Sequence, residues 1–434
     1  MKTVFVHSFG CRASQADGAG IQTSLEAGGM CAAPDAASAD LVVLNTCTVT
    51  SSADADARHA IRRIHRENPN AKVLVTGCFA QRAPEELAAL EGVDWVVGNS
   101  HKTQIARIVL GAPRTEEFHG QIVIGDIQHS REFLAAPVID AYGDRTRPNL
   151  KVQDGCSNKC SFCIIPSVRG LSRSAPLASI VEQVQGLAER YREVVLSGIN
   201  LGRWGRDLPG ELRFPHLLRA ILRDTGIQRI RISSVEPMDW SAELLELMAG
   251  EPRIAQHIHI PLQSGSDAVL KRMFRKYRTR HYASRLDLAH GLMPDAGIGA
   301  DVMTGFPGEN DVEFNETVRF IENRPFTYLH VFTYSERPGT HAAQSTEQVP
   351  ISLRRERTAI LRELSDRKNA DFCRRMVGRT LSAVTLGNES ALTGNFLRVQ
   401  LSKPRAVNEI VDIEIGAAGP GQLKERELLQ IIAI

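Results

Sequence analysis

The run DGCSNKCSFCIIP places thiols at Cys156, Cys160 and Cys163 in a CxxxCxxC pattern. Soft thiolates select iron–sulfur chemistry over hard cations, and three ligands leave the fourth iron of a four-iron cubane open to an outside molecule. A zinc loop completed by a distant ligand is the competing reading. Structural zinc sites usually pair CxxC spacings, however, and here an alternating βα pattern follows. Three more cysteines, Cys11, Cys47 and Cys78, each stand just past a short apolar run, with 35 and 30 residues between them. If those runs are parallel strands of an open α/β sheet, their carboxyl ends lie side by side and the thiols converge on one point. The alternative is three unrelated buried thiols, since cysteine is a common small core residue. Cys31 and Cys373 fall outside both triplets and read as bystanders.

The elements that must position these groups follow from periodicity. TVFVHS, LVVLNT, KVLVTG and DWVVGN alternate with helical stretches starting near Ser14, Ser52 and Pro84, which predicts a parallel α/β sheet over residues 1–110. Residues 111–147, including APRTEEF and AYGDRTRP, lack sustained periodicity and read as a connector with some local strand. From Asn149 the alternation returns six times, in NLKVQDG, REVVLSG, RIRISSVEP, HIHIPLQSG, IGADVMTGFPG and YLHVFTYS. That predicts a partial (βα)6 barrel over 148–350, with its chemistry at the carboxyl ends of the strands. A charged helix over 351–374 then leads to a small β-barrel over 375–434.

A chain of 434 residues with 43% hydrophobic composition can bury several cores, so two or three domains are expected. A net charge of +2 excludes a bulk polyanion binder, which leaves any nucleic-acid argument to local clusters. No apolar run reaches the roughly 18 residues of a membrane span, and the opening MKTVFVHSFGC lacks a signal-peptide pattern. A cytoplasmic protein with no membrane partner is expected. Eight cysteines in a chain of this size do not make a disulfide scaffold, and in a reducing compartment grouped thiols more often hold metal.

FGCRASQ, NTCTVT, GCFAQR, the cysteine loop, PLQSGSDAVLKRMFRKY and GFPGEN together resemble the radical S-adenosylmethionine (SAM) methylthiotransferases, over nearly the whole chain. The resemblance implies two [4Fe-4S] clusters, one on Cys11, Cys47 and Cys78, the other on Cys156, Cys160 and Cys163 with SAM on its open iron. One SAM would methylate a sulfur on the first cluster. A second would yield a 5′-deoxyadenosyl radical that takes hydrogen from an adenine ring, and the methylated sulfur would then join that carbon. Ser14 stands where relatives commonly carry Asn. LSGINLGRWG, RIRISSVEP and HVFTYSERPGTHAA look most like the branch that converts threonylcarbamoyladenosine, next to the tRNA anticodon, to its 2-methylthio form. The isopentenyladenosine branch and the ribosomal-protein branch are the nearest rivals; the former usually has Gln-Asn where this chain has Ile199 and Asn200. The partners implied are the tRNA anticodon stem-loop and an electron donor such as a flavodoxin or ferredoxin. The terminal barrel would be the family's RNA-binding TRAM domain.

For SAM contacts the resemblance points to Phe162 near adenine, Gly198 and Asn200 by the amino group, and Ser233, Ser234 and Glu236 by ribose or carboxylate. It adds Gln263 and Ser264 at the same mouth, and Gly305, Pro307 and Gly308 as a turn passing the adenine. Each has a plain alternative as cluster cover, surface ion pair or loop cap. KRMFRKYRTR, Lys271–Arg280, sets six basic residues and two aromatics in ten positions, suited to RNA phosphates or to a solvated helix face. Arg354, Arg355, Arg357, Arg374 and Arg375 have local acidic partners available, and Asn395, Phe396 and Arg398 could form a stacking and phosphate surface. Two other readings are a cobalamin-dependent radical SAM methylase, which would need a DxHxxG loop that the sequence lacks, and a non-catalytic iron–sulfur RNA-binding redox sensor.

Overall fold

The computed structural model describes residues 1–111, 120–130, 133, 138, 141, 146–419 and 421–427. APRTEEF, the YGDR of AYGDRTRP and the end of the tail, which entered the connector and terminal-barrel expectations, lie outside the described residues.

The front of the chain is a parallel sheet of β1 (Thr3–Ser8), β2 (Cys31–Ala32), β3 (Leu41–Thr46), β4 (Lys72–Gly77), β5 (Trp95–Gly98) and β6 (Gln121–Val123), in the order β2-β1-β3-β4-β5-β6. Strand β6 joins it by pairing with β5 from within the stretch read as a connector. Strand β3 is buried on both faces, as a central parallel strand must be. Alternation divides its side chains: Val42 and Leu44 enter one apolar layer, Leu41 and Val43 the other.

The second unit carries β7 (Asn149–Asp154), β8 (Arg173–Ser174), β9 (Glu193–Gly198), β10 (Arg229–Ile232), β11 (His257–His259), β12 (Gly297–Thr304) and β13 (Tyr328–Thr333). The six βα strands expected from the sequence are present, with β8 added as an antiparallel edge. Parallel bridges Ile230↔Ile254 and Ser234↔His259 join the β8-β7-β9-β10 and β11-β12-β13 sheets into one open, curved wall. Its outer face is apolar: Ile230, Ile232, Ile258, Ile298, Ala300 and Val331 pack into the main core. The residues between them therefore face inward, and these are Arg229, Arg231, His257, His259, Asp301 and His330.

Helix Ile351–Met376 runs past β13 and delivers Phe372, Cys373 and Met376 into the core of the terminal barrel. That barrel closes in the order β14 (Thr380–Leu386), β15 (Ser390–Thr393), β16 (Arg398–Gln400), β18 (Gln422–Glu425) and β17 (Ile410–Gly419). Among the described residues no helix is long and apolar enough to cross a membrane.

Candidate active site

The amino-half thiols converge. Cys11 caps helix α1 (Arg12–Ala27), Cys47 follows β3, and Cys78 opens helix Cys78–Arg82 directly after β4. Gly10, at φ +89°, sits so close to Cys47 that an added Cβ would lie 2.7 Å from its Cβ and 2.9 Å from its Sγ. The three thiols share one cation, Arg169, which comes from the other domain. Its Nε donates to Cys78 Sγ at 3.2 Å and its Nη2 to Ser14 Oγ at 3.2 Å, and its charge also acts on Cys11 and Cys47. Ser14 in turn lies 3.7 Å from Cys11 Sγ. Burial, then repulsion from Cys78 and Cys11, pushes the Cys47 thiol up to about 12. A buried cation aimed at such sulfurs suits thiolates carrying a metal cluster rather than inert thiols.

The second triplet is local. Cys156, Cys160 and Cys163 lie on one loop between β7 and helix Ile165–Arg169, all partly buried. The backbone N–H of Asn158 donates to Cys156 Sγ at 3.4 Å, Asn200 Nδ2 reaches the same sulfur at 3.6 Å, and Arg275 Nη1 donates to Cys160 Sγ at 3.1 Å. Burial, with repulsion from Cys160 and Cys156, raises the Cys163 thiol to about 12; burial also raises Cys156. The two sites adjoin: Cys78 packs with Ile164 and Val168 just beyond the loop, and Asn99 Nδ2 donates to Val168 O at 2.8 Å.

A buried ion network fastens the two halves. Asp17 on α1 binds Lys102 at 2.7 Å, Arg169 at 3.1 Å and Lys151 of β7, while Asp154 accepts from Lys151 at 2.8 Å and Arg169 at 3.0 Å. Burial opposes ionisation of Asp17, but Lys102, Lys151 and Arg169 outweigh it and hold its carboxyl at about 2. Asp154 is likewise held well below the carboxylate range by Lys151 and Arg169 against its burial.

The other expected site residues separate into two sets. Around the cysteine loop stand Asn200, whose N–H donates to Gln153 Oε1 at 2.6 Å, and Gly198, where a Cβ would meet Gln153 at 3.0 Å. Glu236 pairs with Arg275 beside Cys160. Gln263 adopts φ +64° and bridges to Val302, and Ser233 and Ser234 follow β10. Phe162 packs edge-on to Phe306 of GFPG, ring centres 6.4 Å apart. The second set packs closely against neighbouring elements. Ser264 is buried with its Oγ 3.1 Å from Thr317, so it braces a helix rather than lining the mouth. The open sides of Gly305 and Gly308 face Arg354 and Glu347, which a Cβ would strike at 2.3 and 2.7 Å.

Two expectations about basic residues change. KRMFRKYRTR is not one helix: Asp267–Arg272 ends, an irregular stretch follows with Phe274 at φ +57°, and Thr279–Leu292 begins. Arg275 is buried against Cys160 and Glu236, and Arg272 binds Glu313 at 2.6 Å, which leaves Lys271, Lys276 and Arg280 exposed. Arg354 and Arg357 are also buried; Arg357 binds Glu309 at 2.8 Å and Asp311 at 2.7 Å. Asn395 is buried and donates to Asp295 O at 3.0 Å, and Phe396 stacks on His257 with ring centres 4.2 Å apart, so neither forms the outer face of the terminal barrel. Arg169, Asp17 and Asn99 had not been singled out. Only the nearness of Arg169 to the cysteine loop in sequence could have pointed to it.

Residues 3–98 match the model of Uncharacterized protein family UPF0004, and residues 150–321 that of the Radical SAM superfamily. Threonylcarbamoyladenosine tRNA methylthiotransferase MtaB of Aquifex aeolicus (strain VF5) is 37% identical over 96% of this chain and 100% of its own length. This chain belongs to the radical SAM methylthiotransferase family. MtaB of Bacillus subtilis (strain 168) is 38% identical over 88% of the chain and 85% of its own length. The tRNA-2-methylthio-N(6)-dimethylallyladenosine synthase of Syntrophobacter fumaroxidans is 34% identical over 83% and 80%. Among solved structures, the radical SAM methyltransferase TsrM from Kitasatospora setae, with cobalamin and a [4Fe-4S] cluster bound, has a TM-score of 0.58 at 16% identity, covering 79% of this chain and 77% of that one. That likeness concerns the fold alone. As a radical SAM methylthiotransferase the protein is an enzyme whose cofactors are SAM and two [4Fe-4S] clusters, and the thiol triplets with their aimed donors fit both clusters.

Proposed function

We propose that this enzyme adds a 2-methylthio group to threonylcarbamoyladenosine beside the anticodon of tRNA, at position 37. The observation that carries this reading is the adjacency of two thiol sites from different halves of the chain, combined with relatives of that name at 35–38% identity. The dimethylallyl-adenosine synthases align at 32–34%.

Cys156, Cys160 and Cys163 would hold the SAM-binding cluster and Cys11, Cys47 and Cys78 the second. When bound, these groups supply one-electron cleavage of SAM together with the sulfur and methyl that are transferred. The protein's own part is positioning and charge. Arg275 and Asn200 aim N–H donors at the Cys160 and Cys156 sulfurs, contacts that would orient those thiols as ligands. Glu236, fixed by Arg275, and the backbone at Gly198 would orient the SAM amino-acid end, and Phe162 would wall the adenine. A geometry fixed in this way keeps the reacting carbon and the sulfur donor in one cavity. Lys271, Lys276 and Arg280 would meet RNA phosphates, an electron carrier such as a flavodoxin or ferredoxin would deliver electrons, and the cytoplasm is where tRNA is available.

The test is nucleoside mass spectrometry of tRNA from a strain lacking the gene. The expected result is loss of 2-methylthio-threonylcarbamoyladenosine with retention of its unthiolated precursor. Loss of the isopentenyl-type product instead would overturn the assignment.

A further inference from the structure

Among the inward-facing polar residues of the barrel wall, charge is unevenly matched. Glu193 is fully buried and serves three guanidiniums: Arg231 at 2.7 Å, Arg147 at 3.2 Å and Arg229 at 3.7 Å. Asp301 is taken by His259 and His330, each at 3.4 Å. A partly buried cation beside them lacks such a partner among the described residues. Arg12, partly buried at the start of α1, has no hydrogen bond and no carboxylate within ion-pair distance among the described residues; its guanidinium stands 5.9 Å from the centre of the Phe396 ring. The groups that act on its charge are Arg147, Arg231, Tyr328 and Glu193, which places it at the inner wall of the barrel.

A partly desolvated guanidinium with no anion, among other cations, is a binding site awaiting a negative charge. Its position says which. Arg12 directly follows Cys11, so its Cα lies about 3.8 Å from that of a first-cluster ligand. In the proposed reaction, adenine C2 must come to that cluster, and the N6 substituent projects from the same ring only two atoms away from C2. The threonylcarbamoyl substituent ends in a carboxylate, whereas an isopentenyl group carries no charge.

We propose that Arg12 binds the carboxylate of the threonylcarbamoyl group and is a specificity-determining residue of this enzyme. The inference rests on the substrate reading above. It adds an attractive contact for the charged substituent and a penalty for an apolar one, which would cover the guanidinium and leave it unpaired.

The experiment compares anticodon stem-loop RNAs bearing threonylcarbamoyladenosine, its carboxamide analogue, or unmodified adenosine, with the reconstituted wild-type enzyme and the Arg12→Gln and Arg12→Lys variants. Wild type is expected to bind the carboxylate RNA about tenfold or more tightly than the carboxamide RNA, the scale of one charge-assisted contact. Arg12→Gln is expected to erase that preference while keeping affinity for unmodified RNA and full iron content, and Arg12→Lys to restore part of it. Equal binding of carboxylate and carboxamide by wild type would overturn the proposal. So would a uniform loss across all three RNAs, which marks a phosphate contact, or a preference undiminished in Arg12→Gln. Should the glutamine variant lose iron, the wild-type carboxylate and carboxamide comparison still decides. Failure of the substrate reading looks different: wild type would then yield no methylthio product from the threonylcarbamoyl RNA at all.

Discussion

The two thiol triplets are assembled by opposite routes. Cys156, Cys160 and Cys163 share one loop, so most of their geometry is built by eight consecutive residues. Cys11, Cys47 and Cys78 meet only because three parallel strands end side by side, and the cation among them, Arg169, is lent by the other domain. A local site needs little beyond its own loop. A site gathered from a sheet depends on the whole sheet, and here on a neighbouring domain too.

The sharpest way to break this contrast is to remove one thiol from each site. Cys160→Ala and Cys47→Ala should each abolish methylthio product and each lower iron from about eight to about four per chain. Only Cys47→Ala should still cleave SAM reductively, releasing 5′-deoxyadenosine. Loss of all iron in either variant, measured on anaerobic protein, would show the sites to be interdependent. Next in size, Arg169→Met should injure the gathered site while the loop keeps its cluster. It also strands Asp17 and Asp154 with one cation fewer, a loss of about 3–5 kcal/mol for breaking a buried ion network. Thermal unfolding, with product formation assayed in parallel, checks both parts.

A smaller effect concerns pH. The Asp17 carboxyl sits at about 2 in the folded protein, against roughly 3.9 when unfolded, and Asp154 is depressed as well. Such groups add stability that is complete above about pH 4 and fades as pH falls toward 2. Denaturant unfolding of the apo-protein between pH 6 and 2.5 should show a flat upper range and a decline below about 4. A decline that begins near pH 6 would assign acid sensitivity to other groups.

What the sequence discloses follows the same division. The loop triplet, the front strands and the six βα units were legible because each is a short-range pattern: a spacing, a run, a period. The convergence of Cys11, Cys47 and Cys78 was legible at one remove, through the rule that ligands gather at strand ends. Arg275 and Arg357 show what was lost. In a one-dimensional reading Arg275 belongs to a basic run fit for phosphate and Arg357 to a helix with acidic neighbours close by, yet their partners, Cys160 and Glu309, lie 115 and 48 residues away. The GFPG turn reads in the sequence as backbone passing an adenine, and the structure adds what spacing could not show, that Arg354 and Glu347 crowd the sides where Gly305 and Gly308 lack a Cβ. Long-range ion pairs leave no trace in spacing, so charge could be counted beforehand but not placed.

The seat of Phe396 has a further consequence. This residue belongs to the last domain, yet its ring, at φ +70°, lies flat on His257 at the amino-terminal edge of the barrel wall, and Arg231 donates to Thr393 and Gly394 of the same turn. The tail module is thus packed against the amino-terminal edge of the barrel wall through buried contacts. Trimming the module away would bare the His257 ring and strip Arg231 of the Thr393 and Gly394 carbonyls, so its loss would reach the wall itself.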